Sequence, residues 1–215
     1  MKRIALFLAS AASLAAAPVY WTDWTFVDTQ NVIHGEITLP DASTVGVTYT
    51  GSYYFAQIAS PGTNYWSPDA YTGGDVGNAP DSLNQDIIAV GTGAGGTFAF
   101  SSPILNPIFA VVSLNGPTLQ FDAPFAVQHS GCGYWGCDTL TAFSGNVLGS
   151  TSGGEGHGSI EFQGNYSSLS FTESGAENWR GLTVGITGAA TPEPSAGFLA
   201  LGGVALLGLL RRRRA

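Results

Sequence analysis

The chain has 215 residues, 10% of them charged, with 15 acidic side chains against 7 basic ones. Six of the basic residues sit at the extremes, Lys2 and Arg3 at one end and Arg211 to Arg214 at the other, so Arg180 is the single cation of the intervening body. Of the acidic residues only Glu193 lies outside 18–190, which leaves a body of about −13 net charge. Nucleic acid and anionic membrane surfaces are excluded as partners, because both need the lysines and arginines that this body lacks.

The first residues have the pattern of a secretory signal peptide. Lys2 and Arg3 form a positive start, Ile4 to Leu14 an apolar stretch, and Ser13-Leu14-Ala15 supplies the small residues a signal peptidase reads, with cleavage expected after Ala15. Export through the inner membrane by the Sec translocon follows, giving a signal peptide over 1–15, one domain over 16–190 and a distinct tail over 191–215.

The body reads as all-β. Thr, Val, Tyr, Phe and Trp recur in short runs separated by Gly, Pro, Asn and Asp, and no helical period appears between the termini. In chain order, strands are expected over Val19 to Val27, Ile33 to Leu39 and Val45 to Tyr49, where inward valines alternate with small or polar residues before a hairpin turn at Gly51-Ser52. Further strands are expected over Asp86 to Val90, Thr97 to Phe100, Ile108 to Leu114, Thr118 to Phe121 and Thr139 to Phe143. A second hairpin is expected about Gly164-Asn165, with Ile160 and Phe162 on one side and Leu169 and Phe171 on the other, followed by a last strand over Leu182 to Ile186. Strands at this spacing predict a single antiparallel β-sandwich or jelly roll.

Several short motifs carry candidate chemistry. GTGAGG, Gly91 to Gly96, has dinucleotide-loop spacing but is followed by strand rather than helix, so it reads as a glycine-rich turn. Asp75, Asp81 and Asp86 lie in a loop without a nearby cation and are weak candidates for Ca²⁺; their spacing fits no EF-hand, and solvated loop aspartates are the simpler reading. GGEGHGSIE, Gly153 to Glu161, lacks the aspartate of calcium nonapeptides and occurs once. In CGYWGC, Cys132 and Cys137 favour a local disulfide in an exported chain, over metal ligation or a reactive thiol, and would present Tyr134 and Trp135 at a rigid tip.

No residue is selected as catalytic. There is no G-x-S-x-G elbow and no H-E-x-x-H, and although Glu36, Asp122, Glu155, Glu161, Glu173 and Glu177 could supply a carboxylate pair for polysaccharide hydrolysis, surface acids on an acidic protein explain them. The expectation is a non-enzyme. Of the aromatic residues, Tyr65, Trp66, Tyr134 and Trp135 stand among turn-formers and are the candidates for stacking on sugar rings, and Arg180 is expected in a structural ion pair.

The chain ends in TPEPSAGFLALGGVALLGLLRRRRA. Ala196 to Leu210 is an apolar helix candidate of 15 residues, about 22 Å long and therefore short for a membrane span, with the arginines as a block on the cytoplasmic side. Pro192-Glu193-Pro194, a short apolar helix and Arg211, Arg212, Arg213 and Arg214 in that order resemble the PEP-CTERM sorting signal of Gram-negative bacteria. The resemblance implies that an exosortase cuts near the Pro-Glu-Pro, so that the tail is a transient membrane anchor and the body reaches the cell surface or extracellular matrix. It further implies a structural or adhesive role in an exopolysaccharide or biofilm setting. A carbohydrate-binding module, with Ca²⁺ or without it, is the alternative, and a polysaccharide hydrolase comes third.

Overall fold

The computed structural model describes residues 16–58, 62–80, 86–93 and 95–188. The signal peptide, Asp81 and the whole sorting tail, with Pro192, Glu193, Pro194, Arg211, Arg212, Arg213 and Arg214, lie outside the described residues.

The strands in chain order are β1 (Val19–Trp21), β2 (Asp23–Val27), β3 (Ile33–Thr38), β4 (Thr44–Gly51), β5 (Phe55–Gln57), β6 (Ile87–Val90), β7 (Gly95–Leu105) and β8 (Ile108–Leu114). They continue as β9 (Thr118–Phe121), β10 (Ala126–Ser130), β11 (Asp138–Ala142), β12 (Val147–Ser150), β13 (Gly156–Glu161), β14 (Asn165–Ser174) and β15 (Arg180–Thr187). One short helix, α1 (Pro68–Tyr71), is the only helix among the described residues.

Hydrogen bonding joins them into one sheet in the order β2-β3-β4-β7-β14-β9-β12-β11-β13-β8-β15-β6-β5, with β1 added on β15 and β10 on β13. The sheet curls until it is nearly closed into a barrel. The all-β reading therefore holds, but the expected pair of separate sandwich sheets is replaced by two halves made continuous through β11, which pairs antiparallel with β12 and parallel with β13. The segment through β1 and β2 bridges the ends: β1 lies on β15, β2 on β3, and between them the Thr22 N–H and hydroxyl both donate to the Val184 carbonyl, at 2.9 and 2.6 Å.

Alternation explains the half containing β4. Val45, Val47 and Tyr49 point inward while their neighbours are more exposed, which is what a strand with one covered face requires. In the other half, β8 and β13 are buried at every position because both faces are covered. Phe109 and Val111 of β8 face the central core, where Phe109 meets Phe98 of β7 edge-on at 4.9 Å, and Ala110 and Val112 face a second cluster with Trp66, Tyr71 and Ile87. The segment carrying α1 thus acts as an outer cover for this half of the sheet.

Both expected hairpins are corrected. β4 pairs with β3 and β7 while β5 pairs with β6, so Gly51-Ser52 leads the chain from one half of the sheet to the other. Likewise β13 pairs with β8, β10 and β11, and β14 with β7 and β9, so Gly164-Asn165 is a crossover. It runs beside the β7-to-β8 crossover, to which it is laced by Asn106 N–H donating to the Gly164 carbonyl and Gly164 N–H to the Asn106 Oδ1, both at 2.8 Å.

Candidate functional site

Five neighbouring strands of the buried half bring one end each to a common rim: the start of β13, the end of β8, the start of β15, the end of β6 and the start of β5. The loops that gather at this rim carry the site.

The first loop is CGYWGC. Cys132 and Cys137 form a disulfide, and the Gly133 N–H donates to the Gly136 carbonyl at 2.8 Å, so Tyr134 and Trp135 sit at the tip of a closed turn. Both glycines are required by close approach rather than by flexibility. A Cβ on Gly133 would stand 2.2 Å from Cγ of His157, and one on Gly136 would stand 2.8 Å from Cβ of Glu155. The loop therefore lies flat against the start of β13.

At its tip the rings of three loops meet. Tyr65 stacks on Trp135 at 5.3 Å and 25°, Tyr134 meets Tyr65 at 5.2 Å, and Trp179 meets Trp135 at 5.1 Å edge-on. Phe55 backs Trp179 at 5.1 Å. Tyr134 and Trp135 keep 48% and 45% of their surface exposed, which makes this an open platform rather than a core.

Beside the platform lies a cleft of about 530 Å³ lined by Trp135 and Trp179 on one side and by Ser113, Asn115, Glu155 and Glu177 on the other. Its polar wall depends on a bulge. Ser113 has φ of 61° where the register of β8 against β13 slips between Gly156 and Gly158, a conformation that costs a non-glycine residue about 1 kcal/mol or more. That twist aims the Ser113 hydroxyl at Glu155 Oε2, 2.5 Å away, and its N–H at Nδ1 of the buried His157, 3.2 Å away. Asn115 joins the two acids: its side-chain amide donates to Glu155 Oε1, and its backbone N–H donates to Glu177 Oε2 at 3.2 Å.

The electrostatics follow from burial. Desolvation pushes the Glu177 carboxyl up to about 8, helped by the charges of Glu155 and Glu173 and opposed by the Asn115 N–H and Arg180. Burial likewise pulls the His157 imidazole below its ordinary value, against the charge of Glu155. Arg180 is fully buried beneath this wall, paired with Glu173 and donating to the Gly91 carbonyl at 2.8 Å. It is the structural ion pair read from the sequence and lines no part of the cleft.

Of the sequence candidates, Tyr65, Tyr134 and Trp135 are brought together, and Trp66 is not. Its side chain is only 1% exposed, its indole N–H donates to the Asp86 carbonyl at 3.0 Å, and its ring packs on Tyr71, so it belongs to the cover over β8. Asp86 is buried as well, 6% exposed, with Oδ2 accepting the Trp24 N–H at 2.6 Å, whereas Asp75 is exposed in a turn. Among the described residues no group of three His, Cys, Asp or Glu side chains is placed to hold a metal ion. Trp179 is not legible as a site residue in the sequence, because nothing local marks the β14–β15 joint as part of the rim.

The protein is thus an all-β body whose rim sets stacked aromatic rings against paired carboxylates. Residues 190–214 match the PEP-CTERM protein-sorting motif, and the chain carries that signal at its C-terminal end. The motif implies export, processing by an exosortase and membrane-anchored sorting to the cell surface. Among the described residues no helix is long and apolar enough to cross a membrane. No curated protein and no solved structure gives a significant match to the chain.

Proposed function

We propose that the sorted body is an adhesive binding module for extracellular polysaccharide, displayed at the cell surface in an exopolysaccharide or biofilm setting. The observation that carries this reading is the Tyr65–Tyr134–Trp135–Trp179 platform, half-exposed, rigid and bordering a cleft with fixed hydrogen-bonding groups. Sugar rings have apolar faces that stack on indoles and rims of hydroxyls that need acceptors and donors, and the cleft offers both within one contact area.

Tryptophan fluorescence titrated with neutral oligosaccharides tests the reading. Saturable quenching is expected, with the Trp135→Ala protein about tenfold or more weaker at unchanged stability. Trp66→Ala serves as the contrast, lowering stability by about 3–5 kcal/mol through a core cavity. Absence of quenching by every neutral and amino sugar oligomer would remove the binding reading and leave a structural protein.

A further inference from the structure

We infer that the cleft selects a polysaccharide bearing protonated amino groups, a deacetylated amino-sugar polymer, over its neutral N-acetylated counterpart. This rests on the carbohydrate-binding reading of the same rim and adds the charge of the sugar.

The cleft wall holds two carboxyl groups and no basic side chain. Glu155 is oriented by Ser113 and Asn115 at both oxygens, and each carboxylate oxygen retains a second lone pair for an incoming donor. Glu177 also lines the cleft, 9% exposed, and burial holds its carboxyl protonated until a cation beside it favours the charged form. An ammonium group supplies three donors and a charge opposite to that of Glu155, whereas an N-acetyl group supplies one donor and adds bulk. Neutral protein donors satisfy the acids only in part.

The platform points the same way. Trp135 and Trp179 both line the cleft, and an indole attracts a cation held over its face as well as the apolar face of a sugar. The one nearby cation, the buried Arg180, is paired with Glu173 and the Gly91 carbonyl; its charge reaches Glu177, but it lines no part of the cleft. The acidic surface of the whole body further raises the local concentration of a polycation. General attraction of that kind must be separated from recognition in the cleft.

The test compares the full chain in mild detergent with glucosamine oligomers and N-acetylglucosamine oligomers of equal length by calorimetric titration, with lysine oligomers as a control polycation. About tenfold tighter binding of the glucosamine oligomer is expected, with a preference that shrinks as salt is raised and disappears in Glu155→Gln. A second variant, Asn178→Lys, places a cation on an exposed position of the cleft lining and is expected to abolish the same preference without touching the buried wall. Trp135→Ala should weaken both sugars alike. Equal affinity for the two sugars would overturn the inference while leaving the carbohydrate reading intact. Lysine oligomers binding as tightly, with the same loss in both variants, would also overturn it, since charge alone would then suffice. If neither sugar binds, this inference and the carbohydrate reading fall together.

Discussion

Glu177→Gln should change how stability depends on pH, in a direction set by the buried carboxyl. The free carboxyl lies at 4.5 and the folded one at about 8, so between those values the folded protein holds a proton that the unfolded chain releases. A group of this kind adds its full stability below the lower value and loses it as pH rises through the upper one, with a slope of at most about 1.4 kcal/mol per pH unit. From pH 5 to pH 8 the ceiling is therefore about 4 kcal/mol. His157 works in the opposite sense, since an imidazole held neutral by burial loses stability as pH falls below 6.5, and Glu161, raised chiefly by burial, works in the same sense as Glu177. The difference between wild type and Glu177→Gln cancels those shared contributions. Urea unfolding followed by tryptophan fluorescence at pH 5, 6, 7 and 8 should give nearly equal midpoints at pH 5 and a variant more stable by a few kcal/mol at pH 8. Parallel curves across that range would refute the claim that Glu177 is held protonated by its surroundings.

Two further perturbations probe the supports of the rim. Replacing both Cys132 and Cys137 by Ser opens a loop whose ends are 5 positions apart, which should cost about 2 kcal/mol in thermal unfolding and weaken sugar binding more than stability as Tyr134 and Trp135 lose their fixed orientation. Arg180→Met strands the fully buried Glu173 carboxylate and should cost about 3–5 kcal/mol, while adding Glu173→Gln to it should recover part of that loss in a double-mutant cycle.

Period-two patterning made most strands and their inward faces legible, because the side-chain direction of a strand is a local property. Partner choice was not legible. Gly51-Ser52 and Gly164-Asn165 have the composition of hairpin turns, yet both carry the chain between halves of the sheet, since the same glycine conformations serve a tight reversal and a sharp change of direction. What decides between them is pairing across long separations, such as Val19 with Thr187. The same contrast divides the site. Tyr134 and Trp135 could be read as a presented pair because a disulfide of short span fixes them locally, and Tyr65 because turn-formers surround it. Trp66, its immediate neighbour, alternates to the other side of the segment and is buried against Ala110 and Val112, a fate set by the outer face of β8 rather than by its own surroundings. Glu155 and Glu177 were only two among six available acids until β8 and β13 brought Asn115 between them.

The rim is organised before any ligand arrives, which bears on how tightly a small contact area can bind. Asp138 at the start of β11 accepts the N–H groups of Ser152 and Gly154, both at 2.9 Å, and those hydrogen bonds hold its carboxyl below the usual range and fix the loop that leads into Glu155. The Asp138 N–H in turn donates to the Glu155 carbonyl at 3.0 Å. Glu155 is thus restrained through its backbone by β11, through its side chain by the bulge at Ser113, and from above by Gly136 of the disulfide loop. The opposite wall is held in the same way, as Trp179 packs between Phe55, Tyr65 and Trp135. Rings and carboxylates fixed in this manner lose little conformational freedom on binding, so more of the stacking and hydrogen-bond energy remains as affinity. A strained Ser113 and two close-packed glycines are therefore better explained by the geometry of the rim than by the stability of the barrel, whose core at Phe98, Phe109 and Phe121 is packed without them.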